Sequence, residues 1–185
     1  MNCYNAKDMA RSFRTVRSNT IKVAEDIPEE QYGYRAAPDT RTVAETLAHI
    51  AVLPRFAQEN HGKRVKVATI EQFQQAMQKL MQEQAALTTK AQILDALKTN
   101  GEEFATWLDS LPDEMLEEVV TFQPPIQMPP RSRFDMLLGV KEHEMHHRAQ
   151  LMLIERMLGI VPHLTREQQA RMAAMQQPTA ANAAR

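Results

Sequence analysis

The run from Ser132 to Leu158 constrains the fold more than any other part of the chain. Met136, Val140, His143, His147, Leu151, Ile154 and Leu158 recur at steps of four, three, four, four, three and four, which places all seven on one side of an α-helix. Five of these seven are apolar, so that face belongs in a core. Ser132 is suited to cap the helix start, Gly159 to end it, and Pro162 follows. His143 and His147 then lie one turn apart, with Cβ atoms about 6 Å from each other, and both rings can reach one metal ion. A buried pair can equally be core histidines bonded to neighbours, and spacing alone does not choose. Two adjacent imidazoles shielded from water need partners for their nitrogens. A third histidine, His49, lies in another largely apolar helical pattern.

Composition bounds the rest. A chain of 185 residues, 43% hydrophobic, is long enough for one buried core and short for two. Good helix formers dominate, there are twelve Met and only five Gly, and β-branched and aromatic residues are thin, so the class is all-α. A net charge of −1 leaves no basic footprint for nucleic acid or for an anionic membrane surface. The single cysteine, Cys3, excludes an internal disulfide and a Cys-rich zinc site, so any metal must rely on His and carboxylate. No apolar run approaches the ~20 residues of a membrane span, and the N-terminal residues lack a signal-peptide pattern; the expected location is cytoplasmic.

Taken in order, Asn5 to Asp26 reads as an amphipathic helix with Met9, Phe13, Val16, Val23 and Ile27 inward, Thr20 in the gap and Pro28 ending it. The loop that follows carries Tyr32 and Tyr34, whose rings are expected to cap one end of the core. Thr40 or Thr42 starts a second helix that runs to about Asn60. His49 sits there on the stripe Thr42, Thr46, His49, Leu53, Phe56, with Glu45 one turn earlier as a candidate acceptor for its second ring N–H. Pro54 removes the backbone bond to Ile50 and predicts a kink just after His49. A linker over Arg64–Ala68 leads to a third helix, Ile70–Leu87, with Ile70, Phe73, Met77, Leu80 and Met81 inward. A fourth runs from Thr88-Thr89 to Leu111, with Gly101 permitting a close approach or a bend. Residues 113–132 are the least helical; Glu118–Phe122 has strand character and four prolines follow, so this segment is expected to cover or shape a pocket at the His-bearing helix. The expected organisation is a bundle domain over residues 1–162 and a C-terminal tail over 163–185. That tail would be partly helical over Thr165–Met175 and frayed or disordered beyond.

Two signatures together resemble the DinB-like family. The first is Thr46-Leu47-Ala48-His49-Ile50-Ala51. The second is His143-Glu144-Met145-His146-His147-Arg148-Ala149-Gln150-Leu151, continuing to Arg156-Met157-Leu158-Gly159. The Ile27-Pro28-Glu29-Glu30 and Pro38-Asp39-Thr40-Arg41-Thr42 stretches also fit, and the resemblance spans roughly residues 5–160, departing at Ala149, where the family usually has glycine. It implies a four-helix bundle with a long crossover connection, often a homodimer, and a divalent metal held by His49, His143 and His147. It further implies a small-molecule substrate and an activity among thiol transferases that use a low-molecular-weight thiol, or among metal-dependent hydrolases. Three imidazoles leave an open coordination position, as catalytic sites do, and suit Zn²⁺ or Ni²⁺. Glu45, Glu142 and Glu144 are the carboxylates near enough in sequence to move a proton. Glu45 and His146 are the candidate catalytic residues, His146 standing about 60° off the ligand pair as a pocket-lining side chain. The rival readings are a non-catalytic metal-binding or stress-response module and a purely structural bundle.

Overall fold

The computed structural model describes residues 4–176. Among them, four long helices form the bundle: α1 (Ala6–Asp26), α2 (Val43–Gly62), α4 (Lys90–Asp109) and α6 (Arg133–Met157). α1 and α2 each pack against both α4 and α6, so they occupy opposite corners of the bundle. α3 (Ile70–Ala86) packs on the outside of α2, the short α5 (Asp113–Glu117) leans on α6, and α7 (His163–Gln176) lies along α1. The all-α class expected from composition and the four-helix bundle that the resemblance implies are both the observed fold. No described helix is long and apolar enough to cross a membrane.

The helix starts follow from local chemistry. Asn5, Thr42, Thr69 and Thr89 each accept from the backbone N–H three residues on. Asp8, Glu45, Gln72 and Gln92 each reach back to the cap's own N–H. Each reciprocal pair satisfies two of the orphan donors at a helix start. Thr42, not Thr40, caps α2. Ser132 caps α6, and Gly159 adopts the positive φ of +78° that ends it. α7 begins two residues before the expected Thr165; the stretch from 177 onward lies outside the described residues.

The core has two apolar layers. One gathers Val23, Ile27, Leu47, Ile50, Leu97 and Leu151; Tyr32 closes it, its hydroxyl donating to the Ala24 carbonyl at 2.8 Å. The other gathers Phe13, Phe104, Leu108, Leu137 and Val140. Between the two, in sequence and in space, lie the buried polar residues Arg17, Asn100 and Glu144.

Two segments depart from expectation. The Val119–Phe122 strand forms, and it is the centre of a small sheet of order β1-β2-β3 with Val67–Ala68 (β1) and Arg131–Ser132 (β3). β1 runs parallel to β2 with Val67 opposite Thr121, and β3 antiparallel with Val119 opposite Ser132. Two-residue partners carry no periodicity, so they leave no trace in sequence. The sheet ties the α2–α3 linker to the residues entering α6. The second departure is α3. Of its five apolar residues expected inward only Leu80 is buried; Phe73 is 51% and Met81 63% exposed. α3 rests on α2 alone, so one contact line is all it can cover.

Candidate metal centre

His49 comes from the middle of α2, and His143 and His147 from the middle of α6. Their Nε2 atoms converge: that of His143 is 3.1 Å from His49 Nε2 and 3.2 Å from His147 Nε2. One ring nitrogen from each of the three lies within 4.8 Å of the other two. An ion holding imidazoles at about 2.0–2.1 Å in tetrahedral geometry sets its nitrogens about 3.3 Å apart. The two spacings fit such an ion, and the donor set, three imidazoles converging from two helices with His147 buried, fits its chemistry.

The outer ring nitrogens decide which tautomer each imidazole takes. His147 Nδ1 lies 2.8 Å from Gln150 Oε1, so it is the protonated nitrogen and Nε2 keeps its lone pair. The Gln150 amide is oriented from its other end, where its Nε2 donates to His146 Nε2 at 3.2 Å. His146 itself is exposed, with its ring 5.1 Å from that of His147; it acts on the triad through Gln150 and does not join it. His49 Nδ1 lies 2.8 Å from Gln84 Nε2, an amide nitrogen that donates. Freeing His49 Nε2 for an ion requires the Gln84 amide to turn over and present its carbonyl oxygen there. His143 Nδ1 is buried without a partner among the described residues.

Electrostatics keep the triad neutral. Burial, helped by the nearby Arg41 cation, pushes His49 down to about 4. Burial and His147 push His143 down to about 4, and burial also lowers His147. A neutral imidazole is the ligating form.

The carboxylates singled out in sequence do other work. Glu45 does not receive the His49 N–H: its carboxylate is taken by the Thr42 backbone at 2.7 Å and by Arg35 at 3.2 Å, the demand of capping α2. Gln84 stands at His49 Nδ1 instead, with its amide nitrogen facing the ring. Glu142 is exposed. Glu144, between the two α6 histidines, points the other way into the core and pairs with Arg17 at 2.8 Å, both 4% exposed or less. Ala149 is exposed, so its extra methyl meets no close contact.

Arg17 is the residue that aligns these helices, and sequence patterning missed it. From α1 it donates to Glu144 of α6, to the Leu97 carbonyl of α4 at 2.8 Å and to the Ile50 carbonyl of α2 at 3.1 Å. The Ile50 carbonyl is the one that Pro54 leaves without a helical donor. Asn100 Nδ2 donates to the next carbonyl, Ala51, at 3.0 Å. These donors serve the carbonyls beside Pro54, and α2 is continuous through it from Val43 to Gly62. Gly101 makes room: a Cβ there would stand 2.8 Å from Arg17 Cγ. Mid-helix Gly101 and Pro54 were the two sequence signals that pointed to this layer.

Sequence comparison decides the family: residues 12–151 match the DinB superfamily. The chain belongs to that superfamily. No curated protein matches it in sequence. Among solved structures it is similar to a DinB-like protein from Bacillus cereus at 16% identity, covering 84% of this chain and 93% of that one, with a TM-score of 0.64. A DinB-like protein of Bacillus subtilis, YjoA, is 20% identical over 82% of this chain and 92% of its own, with a TM-score of 0.62. YfiT of Bacillus subtilis is described as a probable metal-dependent hydrolase with an unusual four-helix bundle topology. It is 16% identical over 84% and 88%, with a TM-score of 0.66. At these identities the likeness is one of fold. The superfamily bundle places His49, His143 and His147 where they can hold a divalent metal.

Proposed function

We propose that this chain is a metal-dependent enzyme that holds one divalent ion, Zn²⁺ or Ni²⁺, on the Nε2 atoms of His49, His143 and His147. The reaction is group transfer to a low-molecular-weight thiol or hydrolysis of a small molecule. The observation that carries it is the convergence of three neutral imidazoles from two helices, with the His147 tautomer set by Gln150. Such an ion supplies positive charge that lowers the pKa of a water or thiol at its open position. A cleft of about 840 Å³ reaches His143, which favours turnover over a closed storage site. Within the two reactions, thiol transfer is favoured because no carboxylate among the described residues hydrogen-bonds into the triad. Glu45 and Glu144 are both committed elsewhere. A thiol bound to such an ion would be acidified enough to release its proton to solvent, and would need no such base. Hydrolysis draws its support from the description of YfiT.

Elemental analysis of tag-free protein tests the site, with about one ion per chain expected and none in His143→Ala. A conjugation assay with a low-molecular-weight thiol and an electrophile, beside a hydrolysis assay, tests turnover. Equal rates in wild type and His147→Ala overturn the catalytic reading and leave a metal-binding module. A homodimer belongs to the same proposal, since the exposed Phe73 and Met81 of α3 offer an apolar face. Sedimentation at micromolar concentration tests it, and a monomer there removes it.

A further inference from the structure

A fourth buried histidine has no part in the triad. His61, in the last turn of α2, is 7% exposed, and its Nδ1 lies 3.2 Å from Arg133 Nη1. A guanidinium only donates, so Nδ1 is the acceptor and the proton of the neutral ring sits on Nε2. Arg133 is itself immobilised, with Nε on Glu118 at 2.8 Å and Nη2 on the Val65 carbonyl at 2.8 Å. The ring is therefore held in one tautomer by a fixed, buried cation. Burial first and Arg133 second keep it neutral, down to about 4. Nε2 has no hydrogen-bond partner among the described residues and is not sealed from the space in front of it. That space is the same 840 Å³ cleft that reaches His143.

The cleft walls are apolar: Leu53 and Phe56 from α2, Phe122 from the sheet, Met136 and Val140 from α6. Of the cations lining it, Lys79 is paired with Glu59 and Arg131 with Asp135. Lys63, two residues from His61, makes no ion pair among the described residues. His61, with its fixed N–H donor, and Lys63 thus line the same mostly apolar cleft, whose two carboxylates are held by cations: Glu59 by Lys79, and Glu83 by Arg55 and Lys79.

We propose that the cleft takes an apolar molecule ending in a carboxylate, the carboxylate seated on His61 Nε2–H and Lys63 and the apolar body lying along the walls that lead to His143. As a statement about substrate class this rests on the metal-dependent reading above; as a statement about binding it does not. The test separates the two by using metal-free protein. An apolar fluorescent carboxylate, 11-(dansylamino)undecanoic acid, is bound to EDTA-dialysed chain and displaced by decanoate or by 1-decanol. Decanoate displaces it at least about tenfold better than decanol, the size of one hydrogen bond to a charged group. His61→Leu cuts that preference to the several-fold share that Lys63 supplies. His61→Gln keeps the preference, since its amide oxygen accepts from Arg133 while its N–H faces the cleft. Lys63→Ala, a surface change that leaves folding intact, weakens decanoate several-fold and decanol not at all. His147→Ala, which removes the proposed metal, leaves all of this binding in place. No probe binding, equal displacement by acid and alcohol in wild type, or an undiminished preference in both folded His61→Leu and Lys63→Ala overturns the proposal, whatever the metal assays show.

Discussion

Arg17 Nη2 donates at 3.1 Å to the carbonyl of Ile50, the neighbour of His49, while the same guanidinium pairs with Glu144, the neighbour of His143. One side chain thereby sets the height of both histidine-bearing helices. The relationship is buried: Arg17 is 4% and Glu144 2% exposed.

Breaking that pair from one side leaves an uncompensated charge in the core. Arg17→Met is expected to cost about 3–5 kcal/mol of stability and to weaken metal binding. The double variant Arg17→Met, Glu144→Leu removes both charges and recovers much of the stability, since a buried pair can be exchanged for apolar packing at little net cost. Metal affinity stays low in the double variant, because the Ile50 carbonyl still lacks its donor and α2 is free to bend beside His49. Urea titration and metal titration on wild type, Arg17→Met and the double variant check this. A double variant that regains stability and wild-type affinity together shows that Arg17 does not align the triad.

How far sequence reached is visible in these same residues. The helices, the caps at Thr42, Thr89 and Ser132, and the His143–His147 pair were legible because periodicity and capping are local properties of the chain, while the family resemblance joined His49 to that pair. Arg17 was not, since nothing in α1 distinguishes a guanidinium that crosses the core from one in solvent. Its partners Ile50 and Leu97 contribute backbone carbonyls, which have no residue type. Glu45 was the nearest carboxylate in sequence to His49, yet a residue from α3, Gln84, took the position. Docking of separate segments decides such contacts, and local patterning does not record it.

Gln84 and Gln150 offer a test of the outer contacts. Metal bound through Nε2 requires a proton on Nδ1 and an acceptor facing it. Gln84→Glu supplies a permanent acceptor to His49 and is expected to tighten metal binding. Gln84→Leu and Gln150→Leu remove one acceptor each and weaken it about 10–100-fold. Competition titration with a chromophoric chelator reads these affinities. A Gln84→Glu variant that binds more weakly than Gln84→Leu overturns the tautomer assignment.

The pH dependence differs from that of ordinary histidines. In the folded chain His49 and His143 are pushed down to about 4, first by burial. Protons therefore compete for the triad only at low pH: metal is retained at pH 6 and released as pH falls toward about 4, not near the usual 6.5. The sign for stability follows. In metal-free protein, between about 6.5 and 4 the unfolded chain binds protons at His49, His61 and His143 that the folded chain refuses. Stability therefore rises with pH across that window and is lost as pH drops toward about 4. Equilibrium dialysis followed by elemental analysis, and melting of metal-free protein, check the two halves. Half-release of metal near pH 6.5 contradicts the burial argument.

Glu155 runs the opposite way. It is fully buried in α6, both its carboxylate oxygens lack a hydrogen-bond partner among the described residues, and burial together with Asp26 pushes it up to about 7. Folded chain holds that proton where unfolded chain releases it, so the contribution is present below about 4.5 and is lost as pH rises through about 7. Glu155→Gln keeps the shape and cannot ionise. It should raise the melting temperature relative to wild type at pH 8, where wild type must bury a charge, and change it little at pH 5, where both side chains are neutral. The advantage should therefore grow from pH 5 to about pH 7 and level off above it. A melting difference that is the same at the two pH values shows that Glu155 finds a counter-charge when folded, with Arg166 and Arg156, the cations that oppose its shift, as the partners to test next.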